Sequence, residues 1–127
     1  MLDYFIAVFV GGAVGSILRE FTMLMVPNLA DGFPMDILVA NLVATFLLAL
    51  VTALHRRQIV SDRTNILIGT GIMGGLSTFS SFVYGAVVLM SASTASAAVA
   101  SVYVVISLVL GYIAVAVGLK LGGQDSA

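Results

Sequence analysis

The longest stretch of the sequence without a charged residue runs from Thr64 to Leu119. A helix needs about 20 apolar residues to cross a bilayer, so this stretch holds two crossings and a short turn. We place the turn in SASTASAA, Ser91 to Ala98, because Ser and Thr favour helix starts. Two further apolar stretches, Tyr4 to Val26 and Ile37 to Leu54, supply one crossing each. The sequence therefore predicts an all-α membrane protein with four transmembrane helices.

The composition excludes several other classes of protein. Charged residues make up 9% of the chain, against roughly 25% in soluble domains. Five basic residues are too few for a nucleic-acid surface, and the lack of cysteine excludes disulfides and thiolate metal sites. The N-terminus has no basic leader, so we expect no cleaved signal peptide. We predict one domain over residues 1–127, with helices at about 4–26, 37–54, 64–90 and 97–119 and a frayed tail.

The distribution of charge predicts which chain ends lie together. With four crossings, the N-terminus, the second loop and the C-terminus share one side. That side carries four basic residues, whereas Asp31 and Asp36 lie on the other side. The positive-inside rule then places both termini on the cytoplasmic side of the cell membrane, with a small bias. The basic residues concerned are Arg56, Arg57, Arg63 and Lys120.

Glycine spacing on the first and third helices predicts tight packing of each against a neighbouring helix. Gly11 and Gly15 are four residues apart on the first, as are Gly71 and Gly75 on the third. In lipid, such pairs let helix backbones approach closely, and van der Waals contact then holds the helices together. Four short helices are too few to enclose a polar pathway, so we expect at least a dimer.

The segment GIMGGLSTFSSFVYG combines two adjacent glycines with hydroxyl residues inside an apolar helix. One interpretation is a packing interface in which the hydroxyls bond back to their own helix. The other is a third helix that is broken mid-membrane, which is tolerated only inside protein or beside a water-filled cavity. A broken helix exposes carbonyl groups that can bind cations. The residues concerned are Gly74, Gly75, Ser77, Thr78, Ser80 and Ser81.

Other polar and aromatic residues also allow two interpretations. Asn41, the carboxamide inside the second predicted helix, can join two helices or donate N–H groups to an anion. Phe79 and Phe82 share a helix face, either as apolar filler or with their positive ring edges towards an anion. Tyr103 and Ser107 also share a face, either as a polar track or as hydrogen bonds between helices.

Two adjacent charges, Arg19 and Glu20, interrupt the first helix. A charge within a membrane span is a functional candidate by default. Arg19 is close enough to the helix end to reach the lipid headgroups instead. Glu20 can partner a cation or face the same headgroup region.

Three motifs together resemble one known family of membrane proteins. GGLSTFSSF in the third helix, Asn41 followed by leucine, and GGAVGSILR ending at Arg19 are similar to the small fluoride channels called Fluc or CrcB. The resemblance spans nearly the whole chain. It implies a channel and not an enzyme: an antiparallel, dual-topology homodimer that exports fluoride passively through two pores, with a structural sodium ion at the dimer centre.

The resemblance also implies roles for particular residues. Gly74 and Ser77 would bind sodium through their backbone carbonyls, and Arg19 matches a first-helix arginine whose role stays open. Gly111 stands where some relatives have a further hydroxyl at the end of the polar track. The fluoride pore would be lined by Asn41, Phe79, Phe82, Thr78, Ser81, Tyr103 and Ser107.

Three alternatives remain open from the sequence. A small proton-coupled multidrug exporter would use a carboxylate in the first helix, and Glu20 is the residue available. A passive subunit would only pack within a larger complex. The chain could also pair with an oppositely oriented sister protein and not with a second copy of itself.

Overall fold

The structure is a computed structural model that describes residues 1–124, of which nearly all are helical. Helix α1 is Leu2–Met25 and α2 is Met35–Arg56. The third span comprises α3 (residues 62–76) and α4 (Phe79–Ala92), and the last helix, α5, is Thr94–Leu121. Four spans are long and apolar enough to cross a membrane, which confirms the predicted all-α, four-span architecture. Residues 125–127, the second half of the predicted frayed tail GGQDSA, lie outside the described residues.

The third span is not a uniform α-helix. Helix α3 begins as Asp62–Asn65, continues as a π-helical segment over Ile66–Met73 and ends as Gly74–Leu76. Helix α4, Phe79–Ala92, follows after two extended residues, Ser77 and Thr78. π-Helical segments are rare and occur often at functional sites. The third span therefore departs from regular α-helix at the two extended residues and also before them, over Ile66–Met73.

The predicted turn between the last two helices is wrong in length. We expected a turn within Ser91–Ala98 and a helix from residue 97, but only Ser93 separates α4 from α5, which begins at Thr94. The reason is local capping: the Ser93 hydroxyl accepts the Ser96 backbone N–H at 3.1 Å, so the new helix starts at once.

The backbones of α1 and α3 touch at the paired glycines, so the tight packing that the glycine spacing predicts joins these two helices. A Cβ atom at Gly11 would lie 2.5 Å from the Leu67 carbonyl oxygen and 2.9 Å from the Gly71 Cα. A Cβ at Gly15 would overlap the Ile72 carbonyl oxygen. This contact fixes α1 against the end of α3, next to the two extended residues.

Hydrogen bonds at one end of the bundle confirm which chain ends lie together. Arg63 in α3 forms an ion pair of 2.7 Å with Asp3 at the N-terminus. Arg57 after α2 donates to the Gly122 carbonyl at 3.2 Å, so the C-terminal end of α5 lies beside the second loop. His55 and Asp62 are also 2.7 Å apart at this end, and no described cluster of acidic and histidine residues could hold a metal ion.

The first loop closes the opposite end of the bundle. Gly32 has φ +84°, a left-handed conformation that glycine adopts without strain. The next residue, Phe33, is buried, and its N–H donates to the Asp31 carboxylate at 3.0 Å. Phe33 therefore enters the core from a loop, just before α2.

Candidate functional site

Asn41 holds the extended segment through its side-chain amide. Its Oδ1 accepts the Thr78 backbone N–H at 2.7 Å, and its Nδ2 donates to the Thr78 carbonyl at 3.1 Å. Thr78 is only 6% exposed, so both backbone groups would otherwise be buried without partners. One amide side chain thus replaces two hydrogen bonds that the helix loses where it is interrupted. The second N–H of Nδ2 has no acceptor among the hydrogen bonds of residues 1–124, so it is available as a donor.

The interruption changes the hydrogen bonding of two backbone carbonyls. In a continuous helix, the N–H of Thr78 would bond to the Gly74 carbonyl and that of Ser81 to the Ser77 carbonyl. Here the Thr78 N–H goes to Asn41, and the Ser81 N–H goes to the Thr78 hydroxyl at 3.2 Å. The usual helical donors of both carbonyls are therefore diverted to side chains. Carbonyl oxygens in this position are suitable ligands for a hard cation.

The hydroxyl groups at the start of α4 form a small cluster. The Thr78 hydroxyl caps α4 and donates to the Ser81 hydroxyl at 3.0 Å. The Ser80 hydroxyl lies 3.4 Å from the Thr78 oxygen. Because the Ser81 oxygen accepts from Thr78, its own proton has no acceptor among the hydrogen bonds of residues 1–124. Ser81 and Asn41, which both hydrogen-bond to Thr78, therefore each offer an uncharged donor.

Four aromatic rings extend from this cluster towards the first loop. The Phe79 and Phe82 ring centroids are 6.2 Å apart, and Phe82 and Tyr103 are 5.2 Å apart. Phe33 meets Tyr103 nearly at right angles, with centroids 5.3 Å apart. Phe79 is 78% exposed in the single chain, whereas Tyr103 is fully buried. The row therefore begins on an open face and ends inside the bundle.

Tyr103 and Ser107 differ from a simple open polar track. The Tyr103 hydroxyl is buried and has no hydrogen-bond partner within residues 1–124. The Ser107 hydroxyl donates to the Tyr103 carbonyl at 2.7 Å, back along its own helix. Its oxygen lone pairs stay free, but its proton is engaged. Of the two, only Tyr103 has an unused proton.

The two charged residues of α1, Arg19 and Glu20, lie in different surroundings. Arg19 is half-buried, and its Nη1 lies 3.5 Å from the Ser77 carbonyl, at the outer limit of a hydrogen bond. Glu20 is exposed, and neither residue has an ion pair within residues 1–124. Arg19 therefore reaches the interrupted segment and not merely the headgroup region. Glu20 has no such hydrogen bond within residues 1–124.

The structure brings most of the sequence-predicted site residues together. Asn41, Thr78 and Ser81 share one hydrogen-bonded cluster, with Phe79 and Phe82 directly after it. Tyr103 joins through the Phe82 ring, while Ser107 has no hydrogen bond to the cluster. Gly74 and Ser77 flank the end of α3. The roles of these residues in ion binding stay predictions.

Sequence reasoning missed Phe33. Its ring contacts Tyr103, but it belongs to a loop that reads as a turn, fenced by Pro27 and Pro34. The only signal for it was a bulky apolar residue inside an otherwise polar turn. A loop residue that packs onto a helix far along the chain leaves no periodic pattern in the sequence.

We expect Asn41→Ala to destabilise the protein by about 1–3 kcal/mol for each Thr78 backbone group left buried without a partner. Denaturant unfolding of the detergent-solubilised protein measures this loss. Asn65→Ala is the matched control, because the Asn65 amide has no side-chain hydrogen bond within residues 1–124. Equal losses in the two variants would contradict the structural role of Asn41.

The fold and the site together define a small multi-pass membrane protein whose third span is interrupted by a polar, hydrogen-bonded segment. Comparison with known proteins then identifies the family. A family profile described as CrcB-like protein, Camphor Resistance (CrcB), matches residues 6–119. The chain belongs to this family.

Several curated relatives carry the name fluoride-specific ion channel FluC. FluC 2 of Brucella melitensis is 60% identical over 126 residues, covering 99% of this chain and 47% of its own length. FluC 3 of Yersinia pseudotuberculosis is 53% identical and covers 98% of this chain and 92% of its own. FluC of Thermus thermophilus is 32% identical, covering 96% and 97%. The chain thus spans about half the length of the Brucella relative and nearly all of the other two.

Proposed function

We propose that this protein is a fluoride channel, which lets fluoride leave the cell passively and catalyses no reaction. The names of the relatives, fluoride-specific ion channels, support fluoride as the transported ion. Two oppositely oriented copies would line two pores with the predicted residues. The observation that carries the proposal is the set of uncharged donors gathered by Asn41 at the start of α4.

The donors suit a small, strongly hydrated anion. Fluoride enters a pore only if the pore replaces most of its water shell, and it leaves only if no site holds it too firmly. The free N–H of Asn41, the Ser81 hydroxyl proton and the positive edges of the Phe79 and Phe82 rings are all uncharged donors. Their partial charges attract fluoride without the deep trap that a buried ammonium would create.

An antiparallel homodimer would complete the site. Phe79, at 78% exposed, places an aromatic ring on the surface of the single chain beside the donor cluster. Gly74 is also exposed at this level of the third span. A second copy packed there would enclose the donors away from lipid, which an interrupted helix requires at membrane depth. An oppositely oriented sister subunit could enclose them in the same way.

A structural sodium ion at the dimer centre fits the carbonyl chemistry. Gly74 and Ser77 would each present one carbonyl whose helical donor is diverted, and two copies would present four. Oxygen ligands are those that hard cations prefer. If sodium binds there, the dimer should melt at a higher temperature in sodium than in N-methylglucamine. Equal melting temperatures would argue against the site.

The structure offers less support for a proton-coupled multidrug exporter. Glu20 is exposed and has no hydrogen bond or ion pair to the interrupted segment within residues 1–124, and such an exporter does not need that segment. The test is fluoride efflux from liposomes that contain only this polypeptide, in the wild type and in Glu20→Gln. We expect both proteins to conduct fluoride equally. Loss of efflux in Glu20→Gln alone would give Glu20 a role in the pore, and a silent wild type would favour the exporter or a passive subunit over the channel.

A further inference from the structure

The Tyr103 end of the aromatic row is closed within a single chain. Tyr103 is 0% exposed, and its buried hydroxyl has no partner within residues 1–124. A buried hydroxyl without a partner costs stability, so its retention points to a ligand that uses the proton. A second copy of the chain cannot supply that ligand without a movement, because the chain itself covers Tyr103. Some covering group must move before an ion can reach the hydroxyl.

Phe33 is the covering group that the fold leaves most free to move. The other residues packed around Tyr103 include Leu38, Phe82 and Ala86. All three belong to helices. Phe33 lies outside the helices, between Gly32 in its left-handed conformation and Pro34. Loop segments open at lower free energy than packed helices do. Movement of Phe33 would connect the Tyr103 hydroxyl to the end of the bundle formed by the first loop.

We propose that the Phe33 ring is the barrier to fluoride at the first-loop end of each pore, and that the Asp31 carboxylate holds this ring in place. The inference rests on the proposed function. In it, fluoride passes from the Asn41 cluster along the ring edges to the Tyr103 hydroxyl. It leaves when Phe33 swings away from Tyr103. Phe33 is therefore a rate-setting residue and not a fixed part of the wall.

The hydrogen bonds around Phe33 show what sets this barrier. The Phe33 N–H donates to the Asp31 carboxylate at 3.0 Å, and the Phe33 carbonyl accepts from the Leu29 and Met35 N–H groups at 3.2 and 2.8 Å. Only the first of these bonds uses a side chain. Its removal loosens Phe33 while the ring itself stays in the protein.

The experiment compares Asp31→Ala with Asp31→Asn in fluoride efflux from liposomes. Both changes remove the same charge, but asparagine keeps an oxygen that accepts the Phe33 N–H. We expect Asp31→Ala to conduct about fivefold faster than Asp31→Asn, the change that one net hydrogen bond gives in a rate. Phe33→Ala should conduct faster still, if it folds, and the Asp31 pair keeps the test valid if it does not.

A second measurement follows the movement without fluoride. The sequence has no cysteine, so Ala86→Cys introduces a single thiol into the buried cluster that contains Tyr103. A water-soluble thiol reagent should label this cysteine faster with Asp31→Ala than with Asp31→Asn in the detergent-solubilised protein. Equal labelling would overturn the proposed movement of Phe33.

The outcomes also separate this inference from the proposed function. If the wild type conducts fluoride and the two Asp31 variants conduct at one rate, the role of Phe33 is wrong and the channel stands. If the wild type conducts no fluoride, the channel itself is wrong, and the role of Phe33 in a pore is wrong with it.

Discussion

Fluoride efflux through Phe82→Ile is expected to be at least about tenfold slower than through the wild type. Phe82 lies between the donor cluster and Tyr103, with ring centroids 5.2 Å from Tyr103 and 6.2 Å from Phe79. Isoleucine keeps the apolar volume but has no positive ring edge, so the ion loses one partner in a desolvated pore. A loss of about 1.4 kcal/mol at the rate-limiting barrier is a tenfold change in rate.

The control for this prediction is Phe46→Ile. Phe46 is also partly buried, but it lies in an apolar groove between α2 and α5 with neighbours such as Leu110 and Ile113. The same substitution there removes a ring without touching the donor cluster. Both variants should elute at the wild-type position on gel filtration. A Phe82→Ile dimer that conducts at the wild-type rate would remove Phe82 from the pore.

The second large effect is expected in the helix contact that supports the site. In Gly15→Ala, the new methyl group would overlap the Ile72 carbonyl oxygen, a backbone atom that cannot move aside alone. Overpacking of this kind costs about 1–3 kcal/mol and sometimes more. Because the clash is with backbone, we expect a loss of stability of about 3 kcal/mol in denaturant unfolding, together with a lower yield of folded protein.

Gly12→Ala, three residues away on α1, is the matched control. A Cβ at Gly12 has no heavy atom within 4 Å in the single chain. Alanine is the better helix former, so this variant should be as stable as the wild type or up to about 1 kcal/mol more stable. Similar unfolding curves for the two alanine variants would contradict the close contact between α1 and α3.

Hydropathy predicted the spans because the bilayer imposes a minimum apolar length on any crossing. Spacing likewise predicted tight helix packing at Gly11 and Gly15, because small residues let a neighbouring backbone approach closely, but it did not identify α3 as that neighbour. Charge predicted the shared end that Arg63 and Asp3 now join. The apolar lengths, the glycine spacing and the distribution of charge are each local sequence patterns whose meaning is set by the bilayer.

The remaining features depend on contacts between distant parts of the chain. Asn41 and Thr78 are 37 residues apart in the sequence. No sequence pattern predicts that the Asn41 amide bonds to both the N–H and the carbonyl of Thr78. The burial of Tyr103 by Phe33 arises in the same way, from a loop packed on a helix. The predicted turn at Ser93 was too long, because a single serine cap is enough to start α5 although several serines are available.

The central claim is that uncharged donors gathered at an interrupted helix carry fluoride across the membrane. Its most direct test is a fluoride electrode outside liposomes that are loaded with potassium fluoride and contain only this polypeptide. Valinomycin is added to balance the charge. We predict rapid release of fluoride from protein-containing vesicles and little release of chloride from matched vesicles loaded with potassium chloride. Fluoride release no faster than from protein-free vesicles would contradict the claim.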